Sequence, residues 1–181
     1  MSGHSKWSQI KHKKAAADAK KGQAFSKISR LITLAVREKG SDPETNSQLR
    51  DAIEKAKREN MPSDSVDRAI KKGSGEGTEK LEEFLYEAYG PGGVAILIEG
   101  ITDSKNRTTS EIKHILLEKN AKWAETGSVS WAFDRIDNEW IAKEYSRVSI
   151  SEEDKKSLET ILGALDEHDD VQEIYTNAVM Q

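Results

Sequence analysis

Apolar residues recur at helical spacing through the first part of the chain. Phe25, Ile28, Ile32, Ala35 and Val36 fall on one face of a helix over residues 23–39. Gly22 breaks the chain before it, and Gly40 with Ser41-Asp42-Pro43 ends it. Leu49, Ala52, Ile53 and Ala56 predict a second helix over about residues 44–59, stopped by Asn60-Met61-Pro62. A third has Pro62 in its first turn, Asp64 and Asp67 early and Lys71-Lys72 late, a charge order that suits the helix dipole. Val66, Ala69 and Ile70 supply its inner face, so the segment predicts a three-helix bundle.

The period then changes. Residues 74–80 hold glycine, polar and charged residues and no apolar one, which marks a linker between domains 1–73 and 81–181. Residues 84–89 and the apolar run 94–98 read as strands joined by a turn at Pro91-Gly92-Gly93. Thr108 and Glu111 fit a capping box, opening a helix with Ile112, Ile115 and Leu116 on one face. SVSWAF (128–133) alternates as a strand, and a weaker strand lies within 140–148. Ser151 caps a helix carrying Leu158, Ile161, Leu162 and Leu165, and 171–175 closes the chain as a strand. With the first strand set aside, the order is β-α-β-β-α-β, the pattern of a ferredoxin-like sandwich. The predicted class is α+β: a helical bundle with a basic arm, then a ferredoxin-like domain.

Charge divides along the same line. The chain of 181 residues has a net charge of −4, yet residues 1–73 carry 17 Lys+Arg against 9 Asp+Glu, and residues 74–181 carry 11 against 23. A basic half beside an acidic half implies different partners for each. Absence of cysteine excludes disulfides, thiol nucleophiles and zinc–thiolate sites, and points to a reducing compartment. No apolar run is long enough to span a membrane and no signal peptide is visible, so the expectation is a cytoplasmic protein.

The candidate chemistry is electrostatic. Between Lys6 and Lys21 stand six lysines, one acidic residue (Asp18) and, among the charges, Trp7. A charge run alone is equally a solvated face, but an aromatic set among lysines suits a nucleic-acid surface. Lys6, Lys11, His12, Lys13, Lys14, Lys20 and Lys21 are the expected phosphate contacts, with Trp7 stacking on a base or anchoring the arm. Lys27, Arg30, Lys71 and Lys72 extend the patch. The loop with Lys105, Asn106 and Arg107 beside a helix start offers a second phosphate contact, although a plain loop explains it as well. Glu167, Asp169 and Asp170 form an acidic cluster better read as a solvated helix end than as a cation site, and Trp123, Trp131 and Trp140 read as core. The histidines lack metal-ligand spacing, and neither a nucleophile elbow nor a dinucleotide fingerprint is present. Neither cofactor nor metal is called for. Self-association through a sheet edge is open.

Several motifs together resemble one family. GHSKW (3–7), IKHKKAA (10–16), Asp18-Ala19-Lys20, Asn60-Met61-Pro62 and RAIKKG (68–73) are similar to the YebC/PmpR family, which includes the mitochondrial translational activator of cytochrome c oxidase subunit I. EAYGPGG (87–93), Thr102-Asp103, Asn106-Arg107-Thr108, Gly127-Ser128-Val129, DDVQ (169–172) and YTNA (175–178) continue the likeness, while Ser104 stands where the family tends to have Asn. The resemblance implies a helical first domain and α/β domains, the third inserted within the second. Here Phe133-Asp134-Arg135 leads almost directly into the return to domain two, so the insert is expected to be missing. The implied function is a non-enzymatic regulator of gene expression: a transcriptional regulator binding DNA, or alternatively a translation factor on ribosomal RNA that relieves stalling at sequences such as proline runs.

Overall fold

A computed structural model describes residues 5–11, 18–75 and 80–180. Two compact units emerge. A helical unit comprises residues 13–82 with 101–104, and an α/β unit comprises residues 1–12, 83–100 and 105–181. The division departs from the one read along the sequence, because described residues 5–11 belong with the α/β unit instead of extending as an arm from the bundle.

The helical unit consists of α2 (Asp18–Lys39), α3 (Ser47–Arg58) and α4 (Ser63–Ser74). Its core is the expected stripe: Ile28, Ile32, Ala35 and Val36 against Leu49, Ala52, Ala56, Met61 and Ala69. Gly22 does not break the chain. It lies inside α2, with nothing within 4 Å of where a Cβ would stand. A helix-interior glycine costs about 1 kcal/mol, which a stripe this long outweighs. The helix does end at Gly40, whose φ of 89° few other residues adopt. Asn46 then starts α3 three residues later than the pattern predicts. Its Oδ1 accepts from the Leu49 amide at 3.1 Å, and its Nδ2 donates to the Ala35 and Gly40 carbonyls, each at 2.8 Å. One buried side chain thereby caps α3 and closes the turn from α2. Gly73 lets α4 approach α2: a Cβ there would meet the Val36 Cβ at 2.6 Å and the Thr33 carbonyl oxygen at 2.8 Å.

In the α/β unit, β1 (Glu82–Tyr89), β2 (Ala95–Thr102), β3 (Lys122–Ala124) and β6 (Val171–Thr176) form one sheet in the order β3-β1-β2-β6. The α+β class stands, but the ferredoxin-like order does not, because β1 is a central strand and not an appendage. Helices α5 (Lys105–Glu118) and α6 (Glu152–Asp166) cover one face, on Phe84, Ile96, Ile98, Val171 and Ile174. Val171 and Ile174 share that face despite their odd spacing, because the β2–β6 register shifts between Glu99 and Gly100. The alternate residues Ala95, Leu97 and Tyr175 face a second cluster with Val129, Ala132, Phe133 and Ala142. That layer includes a separate hairpin, β4 (Phe133–Ile136) with β5 (Glu139–Ala142), turned by Asp137 and Asn138 at φ of 47° and 64°. Both positive angles fit the two-residue turns whose twist matches a hairpin.

Three local expectations fail for identifiable reasons. Residues 128–133 are not a strand of the sheet. The buried carboxylate of Glu87 accepts from the amides of Gly127 (2.6 Å), Val129 (2.8 Å) and Ser130 (2.9 Å), curling the segment into a 3-10 turn at Ser130–Ala132. That turn leaves Trp131 58% exposed instead of in the core. Helix α5 begins at Lys105, so Thr108 is not its cap; Thr108 is buried and donates to the Asp170 carboxylate at 2.6 Å. Strand β3 is only three residues long, too short for periodicity to reveal. Among the described residues, no helix is long and apolar enough to cross a membrane.

Candidate nucleic-acid interface

The N-terminal basic stretch divides into two environments. Ser5 and Lys6 run alongside β6: the Thr176 amide donates to the Ser5 carbonyl at 2.8 Å, and Lys6 bridges to Tyr175. The Ser5 hydroxyl accepts from the Ala142 amide at 2.9 Å, joining the same residues to β5. The short helix α1 (Trp7–Ile10) follows, and Trp7 packs into the helix-face core with an exposure of 8%. Of the two roles expected for Trp7, stacking and anchoring, its placement is that of an anchor. Lys6 reaches Glu139 at 2.7 Å and Glu173 at 3.6 Å, and Lys11 reaches Asp166 at 2.9 Å. Burial alone would lower the Lys6 pKa, but the charges of Glu173 and Glu139 outweigh it and hold the ammonium above its ordinary value. These residues hold the N-terminal stretch to the acidic unit. His12, Lys13 and Lys14 lie outside the described residues.

The helical unit presents its cations differently. Lys20 and Lys21 are exposed on the opening turns of α2, and Lys71 and Lys72 are exposed on the last turn of α4. Lys27 is half-buried on α2, and Arg30 donates through Nη1 to the Ile101 carbonyl at 3.1 Å. Between α2 and α4 lies a cleft of about 430 Å³. Ser29 and Arg30 line one wall, Ser65, Arg68 and Lys72 the other, with Phe25 and Met61 among the apolar lining and Asp103 also bordering it. Arg30 and Lys72, widely separated in sequence, therefore meet at one concave surface. Arg68, which sequence reading passed over, completes the set and donates from Nη2 to the Ser65 hydroxyl at 3.0 Å. The signal was available: positions 65, 68 and 72 are spaced to share one helix face.

Of the second phosphate candidate, Arg107 is tied into the fold. Arg107 pairs with the buried Asp170 at 2.8 Å, while Lys105 and Asn106 are exposed in the first turn of α5. Glu111, His168 and Asp170 bring potential metal-ligating atoms within 4.8 Å of one another. Several of these atoms already hold protein hydrogen bonds. Asp170 accepts from Arg107 and Thr108, and the His168 Nδ1 accepts from the Asp170 amide at 3.1 Å, which leaves Nε2–H to donate to Glu111 at 2.7 Å. With a guanidinium and a hydroxyl of α5 on the Asp170 carboxylate, these contacts fix the start of α5. Of the acidic group read as a solvated helix end, Asp170 is the exception: it is 2% exposed.

A small helical unit with a basic cleft, together with an acidic α/β unit that includes residues 5–11, defines a two-unit α+β protein. The chain belongs to the TACO1/YebC family. The family's N-terminal-domain model matches residues 5–76, and the model of its second and third domains matches residues 81–137 and 135–178. The last two segments meet at the β4–β5 turn, where the resemblance placed the missing insert. A probable transcriptional regulatory protein of Petrotoga mobilis is 51% identical over 97% of this chain and 70% of its own length. One of Thermoanaerobacter pseudethanolicus is 56% identical over 75% of this chain and 56% of its own. Across the similar relatives the matches span 54–70% of their length. The crystal structure of a conserved hypothetical protein from Aquifex aeolicus superposes with a TM-score of 0.83 at 32% identity, covering 95% of this chain and 96% of that one.

Proposed function

We propose that this chain is a non-enzymatic, cytoplasmic regulator of gene expression that binds nucleic acid through its helical unit. The observation that carries the reading is the presentation of exposed Lys20, Lys21 and Lys71 on the same unit as a cleft holding Arg30, Arg68 and Lys72. Lysines and arginines around serine hydroxyls contact phosphates well and carry little base-edge information. The names of the bacterial relatives favour a transcriptional role on DNA. The phosphate-directed character of the surface suits folded ribosomal RNA equally, and that is the second reading. The α/β unit carries the acidic surplus and contributes little to phosphate contact.

Fluorescence anisotropy in a salt series tests this reading, with promoter duplex, random duplex and a ribosomal RNA hairpin as ligands. Each neutralised phosphate contributes about 0.9 to the slope of log K against log salt on a duplex, so Lys20→Gln/Lys21→Gln flattens the duplex slope by about 2. Lys11→Gln, whose ammonium is held by Asp166, leaves the slope unchanged. A slope near zero in the unmodified protein overturns the reading. Preference for one promoter over random duplex selects the DNA form; preference for folded RNA selects the ribosomal one.

A further inference from the structure

We infer that the α2–α4 cleft is a site for one unpaired nucleotide, its phosphate held by Arg30, Arg68 and Lys72 and its base against Phe25 and Met61. This rests on the nucleic-acid reading above and adds to it the form of the ligand. The first argument is shape. The cleft holds about 430 Å³. That lies within the range of about 300–1,000 Å³ typical of small-ligand pockets. A duplex presents its phosphates along a convex ridge, and a recess of this size between two helices admits a single extruded residue more readily than a double helix. The second is chemistry. A surface meant only for a phosphate chain needs cations along a track. Here the cations stand on opposite walls, Arg30 from α2 and Arg68 with Lys72 from α4, beside an aromatic ring and a thioether. Bases taken out of a stack are held by aromatic and apolar side chains. The third is Asp103. It already has a partner within the protein, and its carboxylate keeps further acceptor sites to which sugar hydroxyls can donate, and a ribonucleotide offers one more hydroxyl than a deoxyribonucleotide.

The test uses the full chain and follows backbone and arginine side-chain NMR shifts as AMP, dAMP, adenosine and inorganic phosphate are added. Shifts around residues 25–30 and 65–72 are expected with AMP, saturating at a concentration at least fivefold below that needed for phosphate or adenosine alone. Arg68→Gln, an exposed change that leaves the helix intact, weakens AMP at least fivefold. Phe25→Leu lowers AMP toward the affinity of phosphate, and Lys20→Gln/Lys21→Gln changes nothing at the cleft. A tighter hold on AMP than dAMP identifies ribose as the sugar recognised; equal affinity assigns the site to either nucleotide. If phosphate matches AMP, or Arg68→Gln leaves AMP affinity intact, the cleft is not a nucleotide site. Polynucleotide anisotropy on the same samples separates the two levels. Retained salt-dependent binding with no response to AMP overturns this inference alone, whereas loss of both overturns the nucleic-acid reading as well.

Discussion

Two lysine-bearing stretches lie close together in sequence and have opposite fates. Ser5 to Lys11 is bound into the acidic unit by a strand-like pairing, a buried indole and ion pairs to Glu139, Glu173 and Asp166. Lys20 and Lys21 stand exposed on a helix of the other unit. Lysine content does not distinguish them. The difference is the residue each stretch can bury: Trp7 supplies a large apolar area that draws its neighbours onto the sheet, whereas the described residues next to Lys20, namely Lys21, Gly22 and Gln23, offer no such area. A basic run with an embedded tryptophan is therefore as consistent with docking on an acidic surface of the same chain as with binding a polyanion.

The comparison is broken most directly at Trp7. Truncating a buried tryptophan costs about 3–5 kcal/mol. Trp7→Ala should lower the stability of the α/β unit by that order. Trp7→Phe should cost far less, because the indole Nε1 is buried without a hydrogen-bond partner among the described residues. All four tryptophans fall in the α/β unit, so urea unfolding followed by tryptophan fluorescence reports that unit. Unchanged stability in Trp7→Ala, with lost nucleic-acid affinity, would return Trp7 to a stacking role.

The two units can next be loosened one at a time. A Cβ on Gly100 would stand 2.1 Å from the Asp170 carbonyl oxygen and 2.3 Å from Phe84 Cζ, and one on Gly73 would meet Val36 and Thr33. Overpacking typically costs about 1–3 kcal/mol. Gly100→Ala should shift the fluorescence transition at the upper end of that range. Gly73→Ala should instead reduce amide-exchange protection in α2 and α4 by a comparable free energy. A protection pattern unaltered by Gly73→Ala would mean that the two helices do not cross so closely in solution.

Lys6 gives the comparison a pH signature. Because its folded pKa is raised, its ion pairs stabilise the α/β unit fully below about pH 10.5 and are lost as pH climbs through the higher folded value. Urea midpoints of the unmodified protein should exceed those of Lys6→Met by a constant margin near neutrality, and the margin should close in strong alkali. A margin independent of pH would assign the effect to packing of the lysine stem.

What the sequence disclosed and concealed follows from the range of the interactions. The bundle was legible because the stripe of Ile28, Ile32 and Val36 is a local signal, as was the turn at Pro91-Gly92-Gly93. The strand order was hidden because β1 becomes central only by pairing with β3, and three residues at 122–124 carry no readable period. The curl at 128–133 depends on Glu87, some forty residues away. For the interface, charge named Arg30 and Lys72 but could not show that they face each other. Packing of α4 against α2 brings them together and adds Arg68. The ion pairs of Lys6 and the choice between stacking and anchoring for Trp7 were hidden for the complementary reason: their partners Glu139, Glu173 and the helix-face core lie far away in sequence.

The smallest effect tests the opening of α2 itself. Lys20 and Lys21 are displayed on turns that precede the buried stripe, and Gly22 sits among them with open space at its Cβ position. Packing therefore contributes little there, and backbone propensity decides whether those turns stay helical. Gly→Ala at such a site favours the helix by about 0.5–1 kcal/mol, partly by restricting the unfolded chain. Gly22→Ala should raise helicity in circular dichroism and protect the amides of residues 20–24 by that amount, leaving the tryptophan transition unmoved. If Lys20 and Lys21 engage phosphates from a helix, the same change should modestly tighten binding at fixed salt slope, since the number of neutralised phosphates stays constant while less ordering remains to be done. A loss of stability or weaker binding would instead mean that the chain needs glycine there to bend, and that the two lysines reach their ligand from a broken helix.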